Sequence, residues 1–211
     1  MQYRCEATSV EGFIQQLAVQ YVAHGYFFFV TGRVPPRKDP QAVDRKLLER
    51  YGIERSKWSR ARRKQSGGAN LHYLRHDDFF VIVATEGAHS FFEAERGQVR
   101  DLRKTWLKAF QYEIGYRNGH ALVRIERAEY RRLKSYFLGV AIHRSAADVA
   151  ASIFRLPYPP YRAVYRQLRR MVWELNRRRK LASYELVGVS CVRKLRKVVK
   201  PFGNESQQVE A

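Results

Sequence analysis

Two adjacent carboxylates and a histidine stand between apolar runs in Leu71-His72-Tyr73-Leu74-Arg75-His76-Asp77-Asp78-Phe79-Phe80. Paired hard oxygen ligands at a hairpin tip can hold a divalent cation. Mg²⁺ or Mn²⁺ held there would polarise a phosphoryl group or activate a water. On that chemistry His76, Asp77 and Asp78 form a candidate catalytic set for a metal-dependent nuclease or strand transferase, such as a mobile element encodes. The same Asp-Asp pair is also ordinary turn chemistry, because short polar side chains bond the backbone around them. On the turn reading the chain needs no cofactor and is a binding protein rather than an enzyme.

Over Leu71 to Phe80 the string resembles the catalytic hairpin of reverse-transcriptase palms, in which two Asp precede an apolar strand. That resemblance implies a metal-holding Asp77 and Asp78. Arg75-His76 departs from the aromatic and small residue of that motif, and 211 residues do not make fingers, palm and thumb. Rolling-circle nucleases combine a metal held by two histidines, one residue apart, with a tyrosine nucleophile. The corresponding grouping here would be His120, Glu126 and Tyr130, but His120-Ala121-Leu122 lacks the second histidine. His72 and His76 are four apart, roughly 13 Å along a strand, too far to share a metal.

A second kind of chemistry is legible in the charge. Forty Lys and Arg against twenty Asp and Glu leave +20 at pH 7, and three windows carry all of it. Residues 45 to 64 hold nine basic and two acidic side chains, 155 to 180 hold nine and one, and 193 to 200 hold five and none. The remainder is neutral. Concentrated basic segments on a neutral fold are the footprint of a polyanion-binding surface. Arg outnumbers Lys 29 to 11, and the planar guanidinium binds phosphate through two parallel hydrogen bonds and stacks on bases.

These windows supply the candidate nucleic-acid contacts. The first contains Arg45, Lys46, Lys57, Trp58, Arg60, Arg62, Arg63 and Lys64, and the last contains Arg193, Lys194, Arg196 and Lys197. In the middle window, at 100° per residue, Tyr161, Val164, Tyr165, Leu168, Met171, Val172 and Leu175 share an arc of about 120° that must face a core. Arg162, Arg166, Arg169, Arg170, Arg177 and Lys180 occupy an adjoining arc of about 100°, and Trp173 falls in its middle. An aromatic ring among phosphate-binding arginines is a base-stacking platform. The alternative is a tryptophan packed under a neighbouring segment or covered by Arg169 and Arg177. Trp58, among Lys57, Arg60, Arg62 and Arg63, poses the same question. The expected partner is RNA or DNA, RNA being favoured because arginine with interleaved aromatics suits single strands and folded RNA. A structural component of a ribonucleoprotein is a further reading.

The elements that must position these residues follow from periodicity. The expected fold class is α+β: a mixed or mostly antiparallel sheet with packed helices, basic helices on the surface, and a long amphipathic helix in the C-terminal half. Thr8 with Glu11 has the spacing of a capping box for a helix that Gly25 stops. Residues 26 to 34 read as a buried strand ended by Pro35-Pro36. Asp39-Pro40 opens a helix to Tyr51, and 56 to 65 form a second helix, a helix-turn-helix-like insertion at 40–65. Short strands are expected at 3–5, 71–75, 79–85, 91–95, 99–103, 112–117 and 120–126, the last two joined by Asn118-Gly119. Helices follow at 128–143, from Ser145, and from Pro160 to Lys180, then strands at 184–189 and 192–199. The expected organisation is therefore an α+β region over 1–127, a helical region with two late strands over 128–202, and a disordered tail over 203–211.

No apolar run reaches the length of a membrane-spanning helix, the first residues lack the layout of a signal peptide, and Cys5 and Cys191 cannot build a disulfide framework. The expected location is the cytoplasm, with no membrane partner.

Overall fold

The computed structural model describes residues 3–203. The chain is α+β, and its described residues divide into two units, one comprising 3–107, 115–121 and 199–203, the other 108–114 and 122–198.

The first unit opens with α1 (Val10–Gln15), capped by the Ser9 side chain, which accepts the Gly12 N–H at 3.1 Å. The cap thus lies one residue beyond Thr8. The helix runs on through a π segment (Gln16–Tyr21) and a 3₁₀ turn (Val22–His24), and stops at Gly25 with φ of 94°. A four-stranded antiparallel sheet follows, from β1 (Phe28–Arg33), β2 (Leu71–His76), β3 (Phe79–Ala84) and β4 (Arg100–Asp101), in the order β2-β3-β1-β4. Between β1 and β2 lie α2 (Pro40–Arg50), capped by Asp39, and α3 (Lys57–Gln65), capped by Ser56. Both faces of the sheet are covered, which explains the nearly continuous apolar run of β3. On one face Leu71, Tyr73 and Ile82 form a core with Tyr51 and Ile53. On the other, Phe13 meets Phe79 edge-on at 5.9 Å, and Tyr21 stacks on His72 at 4.3 Å.

Three expected strands of this unit are replaced. At the N-terminus there is a single bridge between Glu6 and Arg75. Residues 91–94 belong to α4 (Ser90–Ala94) and Glu95 is its C-cap, because the His89 ring caps the start by accepting the Phe91 N–H, and Phe91 and Phe92 pack edge to face. Only Arg100 and Asp101 of 99–103 pair with β1. The Asp101 carboxylate turns the chain by accepting from the N–H and guanidinium of Arg103.

The strands β5 (Leu107–Ala109), β6 (Tyr112–Arg117) and β7 (His120–Ile125) form a three-stranded sheet in that order. Asn118 and Gly119 both take left-handed φ, 51° and 78°, as a type I′ turn requires.

In the second unit α5 (Arg127–Val140), α6 (Ala146–Phe154) and α7 (Arg162–Leu181) supply the core. The stripe read from periodicity is buried at Val164, Leu168, Met171, Val172 and Leu175. The late strands at 184–189 and 192–199 are absent, and a 3₁₀ turn (Val189–Cys191) stands between extended segments without a ladder. Side chains take the ladder's place. Asn176 donates to the Val187 carbonyl at 2.9 Å and accepts its N–H at 2.8 Å, and Arg179 donates to the Glu185 carbonyl. Apart from Gly203, the expected tail lies outside the described residues.

Candidate nucleic-acid interface

The α3 helix presents a surface rather than filling a core, since none of its residues is buried. Its orientation is nonetheless fixed at both ends. The Ser56 hydroxyl accepts the Ser59 N–H, the Asn70 amide donates to the Arg60 carbonyl at 3.0 Å, and Gly68 donates its N–H to the Arg63 carbonyl at 2.8 Å. Ser59, Arg60 and Arg63 are half-buried on the inner side, while Lys57, Trp58, Ala61, Arg62, Lys64 and Gln65 are exposed. Trp58 is 77% exposed. Among the described residues no carboxylate pairs with Lys57, Arg62 or Lys64. Arg45 and Lys46 are exposed on α2 beside the buried Asp44.

On α7 the basic arc is likewise turned outward, with Arg162, Arg166, Arg169, Arg170, Arg177 and Lys180 all exposed. Trp173 lies within it, 63% exposed, which excludes the packed alternative. Arg169 sits over the Tyr165 ring at 5.6 Å, one turn away. Among the described residues only Arg170 in this set is committed to a carboxylate, Glu174 at 3.3 Å, which also holds Lys134. Each helix therefore offers an open indole among exposed cations, most of them without a carboxylate partner among the described residues.

The third basic window is more engaged. Arg193 donates to the carbonyls of Leu156 and Tyr158, and Arg196 lies over the Tyr161 ring at 4.8 Å. Lys194 and Lys197 are exposed.

The candidate catalytic set forms the β2–β3 turn. His76 and Phe79 are its last ladder pair, and Asp77 takes φ of 51°. Both oxygens of Asp78 accept from the Arg33 guanidinium, at 2.9 and 2.7 Å, while the His76 ring is bonded to the Ala7 carbonyl at 2.7 Å. No group of three or more His, Cys, Asp or Glu side chains converges on a metal position among the described residues. Of the second grouping, His120 is exposed, Glu126 pairs with Lys108 at 2.9 Å, and the Tyr130 hydroxyl donates to the Gln167 carbonyl.

One site residue escaped the sequence reading. Arg55, just before the Ser56 cap, donates from Nε to the Gly52 carbonyl at 3.0 Å and from a terminal nitrogen to the Ser59 hydroxyl at 3.4 Å. The four-residue spacing of 55, 59 and 63 was the available signal. Burial, reinforced by the neighbouring Arg55, pulls the Arg63 guanidinium below its ordinary range.

Comparisons with known proteins add no constraint: no family model, no curated protein and no solved structure matches this chain. Among the described residues no helix is long and apolar enough to cross a membrane.

Proposed function

We propose that the chain is a cytoplasmic nucleic-acid-binding protein that takes RNA in preference to DNA, using α3 and α7 for phosphate contacts and Trp58 and Trp173 for base stacking. The observation that carries this reading is the pairing, on each helix, of an open tryptophan with exposed cations most of which have no carboxylate partner among the described residues. An exposed indole alone is common on protein surfaces, and a basic face alone is usually solvated. Together they match what a single strand offers, a phosphate backbone to neutralise and unstacked bases to cover. Arginine dominance favours the same ligand, since a guanidinium serves phosphate and base plane alike.

The test is binding of a labelled single-stranded RNA at several salt concentrations. Six or more neutralised phosphates should cost about 10³-fold in affinity between 50 and 200 mM salt. Charge reversal at Arg62, or at Arg166 with Arg169, should weaken binding without moving the melting temperature. A flat salt response, or loss of binding only in proportion to loss of fold, would overturn the reading.

A further inference from the structure

Arg55, just ahead of the Ser56 cap, and Arg63, two turns further along, bracket Ser59, and among the described residues no carboxylate stands between them. The Arg55 guanidinium is pinned on Ser59 by the hydrogen bonds to Gly52 and Ser59, and Arg63 lies one turn further on. The Arg63 side chain crosses Gly68 so closely that a Cβ at that glycine would stand 2.8 Å from Arg63 Cγ and 3.3 Å from Nε. Glycine at 68 is thus the condition for this Arg63 conformation. Among the described residues neither arginine has a carboxylate partner, and Arg63 has no hydrogen-bond acceptor for its guanidinium.

A third group feels the same field. The His89 ring accepts the Phe91 N–H at 3.0 Å and borders an open groove of about 630 Å³ lined by Gly87, Ala88, His89, Ser90, Phe92 and Glu93. Burial first, then Arg63 and more weakly Arg55, disfavour its protonated form against the pull of the Tyr51 backbone. Arg55, held by a carbonyl and a hydroxyl, and Arg63, without a partner among the described residues, both disfavour a charged His89, and an anion between them would offset that field. The bond to Ser59 brings the Arg55 fork to within one turn of Arg63, and two such forks have the donors that one phosphate accepts.

We propose that Arg55 and Arg63, with Gly68 as the cradle that lets Arg63 lie flat, form a phosphate site. Resting on the nucleic-acid reading, this site clamps a single backbone phosphate beside α3 and sets the register in which Trp58 and Arg62 meet the strand. Outward-facing Lys57 and Lys64 add charge without such a fixed geometry.

The test uses the full chain and inorganic phosphate as the probe, with chloride as control, following the His89 ring by NMR across pH. Phosphate between the two arginines should raise the His89 pKa. In Arg63→Gln that pKa should start higher and no longer respond, and Gly68→Ala should blunt the response by displacing Arg63. Lys64→Gln should leave the response intact. With single-stranded RNA, Arg63→Gln should reduce the slope of log affinity against log salt by about 1. Neither Arg63→Gln nor Lys64→Gln removes a partnered group, so both should fold. A wild-type His89 that ignores phosphate overturns the site even if RNA binds. A phosphate response that depends on Arg63, in a chain that fails to bind RNA, supports the site and overturns only the function it was set in.

Discussion

Asp44 of α2 and Arg75 of β2 form a buried ion pair, with Nε 2.9 Å from Oδ1 and 3.0 Å from Oδ2. The same carboxylate accepts the Tyr73 hydroxyl at 2.5 Å, and Arg75 also reaches Glu6 at 3.0 Å and the Asp77 carbonyl at 2.8 Å. Burial opposes the Arg75 charge, and bonding to Asp44 and Glu6 outweighs it, so the guanidinium stays firmly protonated. The pair fastens the helix pair that carries the α3 surface to the central sheet. Asp44→Asn leaves a buried guanidinium with one weakened partner and should cost about 3 kcal/mol, read as a shift of the urea midpoint. RNA affinity of the folded fraction should fall too, because α3 loses its anchor; unchanged stability would show that the pair is dispensable.

His72 predicts a pH dependence. Its ring is sandwiched against Tyr21 at 4.3 Å and Tyr26 at 4.8 Å and bonded through Nδ1 to the Tyr3 hydroxyl at 3.0 Å. Burial, aided by the Arg60 charge, pulls it down from 6.5 to about 4. The folded state therefore binds this proton less readily than the unfolded chain. The stabilisation is complete above pH 6.5 and is lost as pH falls from there through about 4, a total of about 3 kcal/mol. Urea midpoints of wild type and His72→Phe should diverge across that window, the variant losing less. Parallel curves would place the acid-side loss on the carboxylates.

At the β2–β3 turn the expected outcome is structural. Asp77 holds a left-handed φ of 51°, and Asp78 is clamped by Arg33 at an exposed position. Asp77→Gly should leave stability unchanged or raise it slightly, since glycine carries no penalty there. Asp78→Asn should cost about 1 kcal/mol or less, the range of an exposed ion pair. Single-stranded substrate should remain intact with Mg²⁺ or Mn²⁺ in the wild type. Metal-dependent cleavage that disappears in both Asp77→Asn and Asp78→Asn would establish a nuclease.

How much of this was legible depended on whether the information was local. The α7 stripe, the α2 cap and the Asn118-Gly119 turn were readable because periodicity, cap chemistry and positive-φ preference act within a few residues. The late strands were misread because alternation in 184–199 looks like a ladder, while Val187 and Glu185 are bonded there by Asn176 and Arg179, whose reach only the fold reveals. Arg179 shows the limit most plainly. It belongs to a basic run, yet it is buried, donating to the carbonyls of Ala141 and Arg144 beyond the end of α5 and to that of Glu185. Charge alone could not separate it from Arg177 and Lys180, which face solvent. The exposure of Trp58 and Trp173 was likewise a two-way question that sequence could pose and not answer.

Trp173 gives the sharpest test of the proposed function, because stacking on its open ring and binding through charge alone predict different observables. With the indole 63% exposed and the core stripe formed by Leu168, Met171 and Leu175, truncation removes little buried surface. Trp173→Ala should therefore leave the melting temperature nearly unchanged, in contrast to the 3 to 5 kcal/mol, roughly, that truncating a buried tryptophan costs. A base stacked on the ring is worth about 1 to 3 kcal/mol, so affinity for single-stranded RNA should drop about tenfold or more. The salt slope should hardly move, since no phosphate contact is lost. RNA should also quench the indole fluorescence in a chain where Trp58 and Trp106 are replaced by Phe. Undiminished affinity in Trp173→Ala would mean that α7 contributes charge alone, and the stacking half of the proposal would then rest on Trp58.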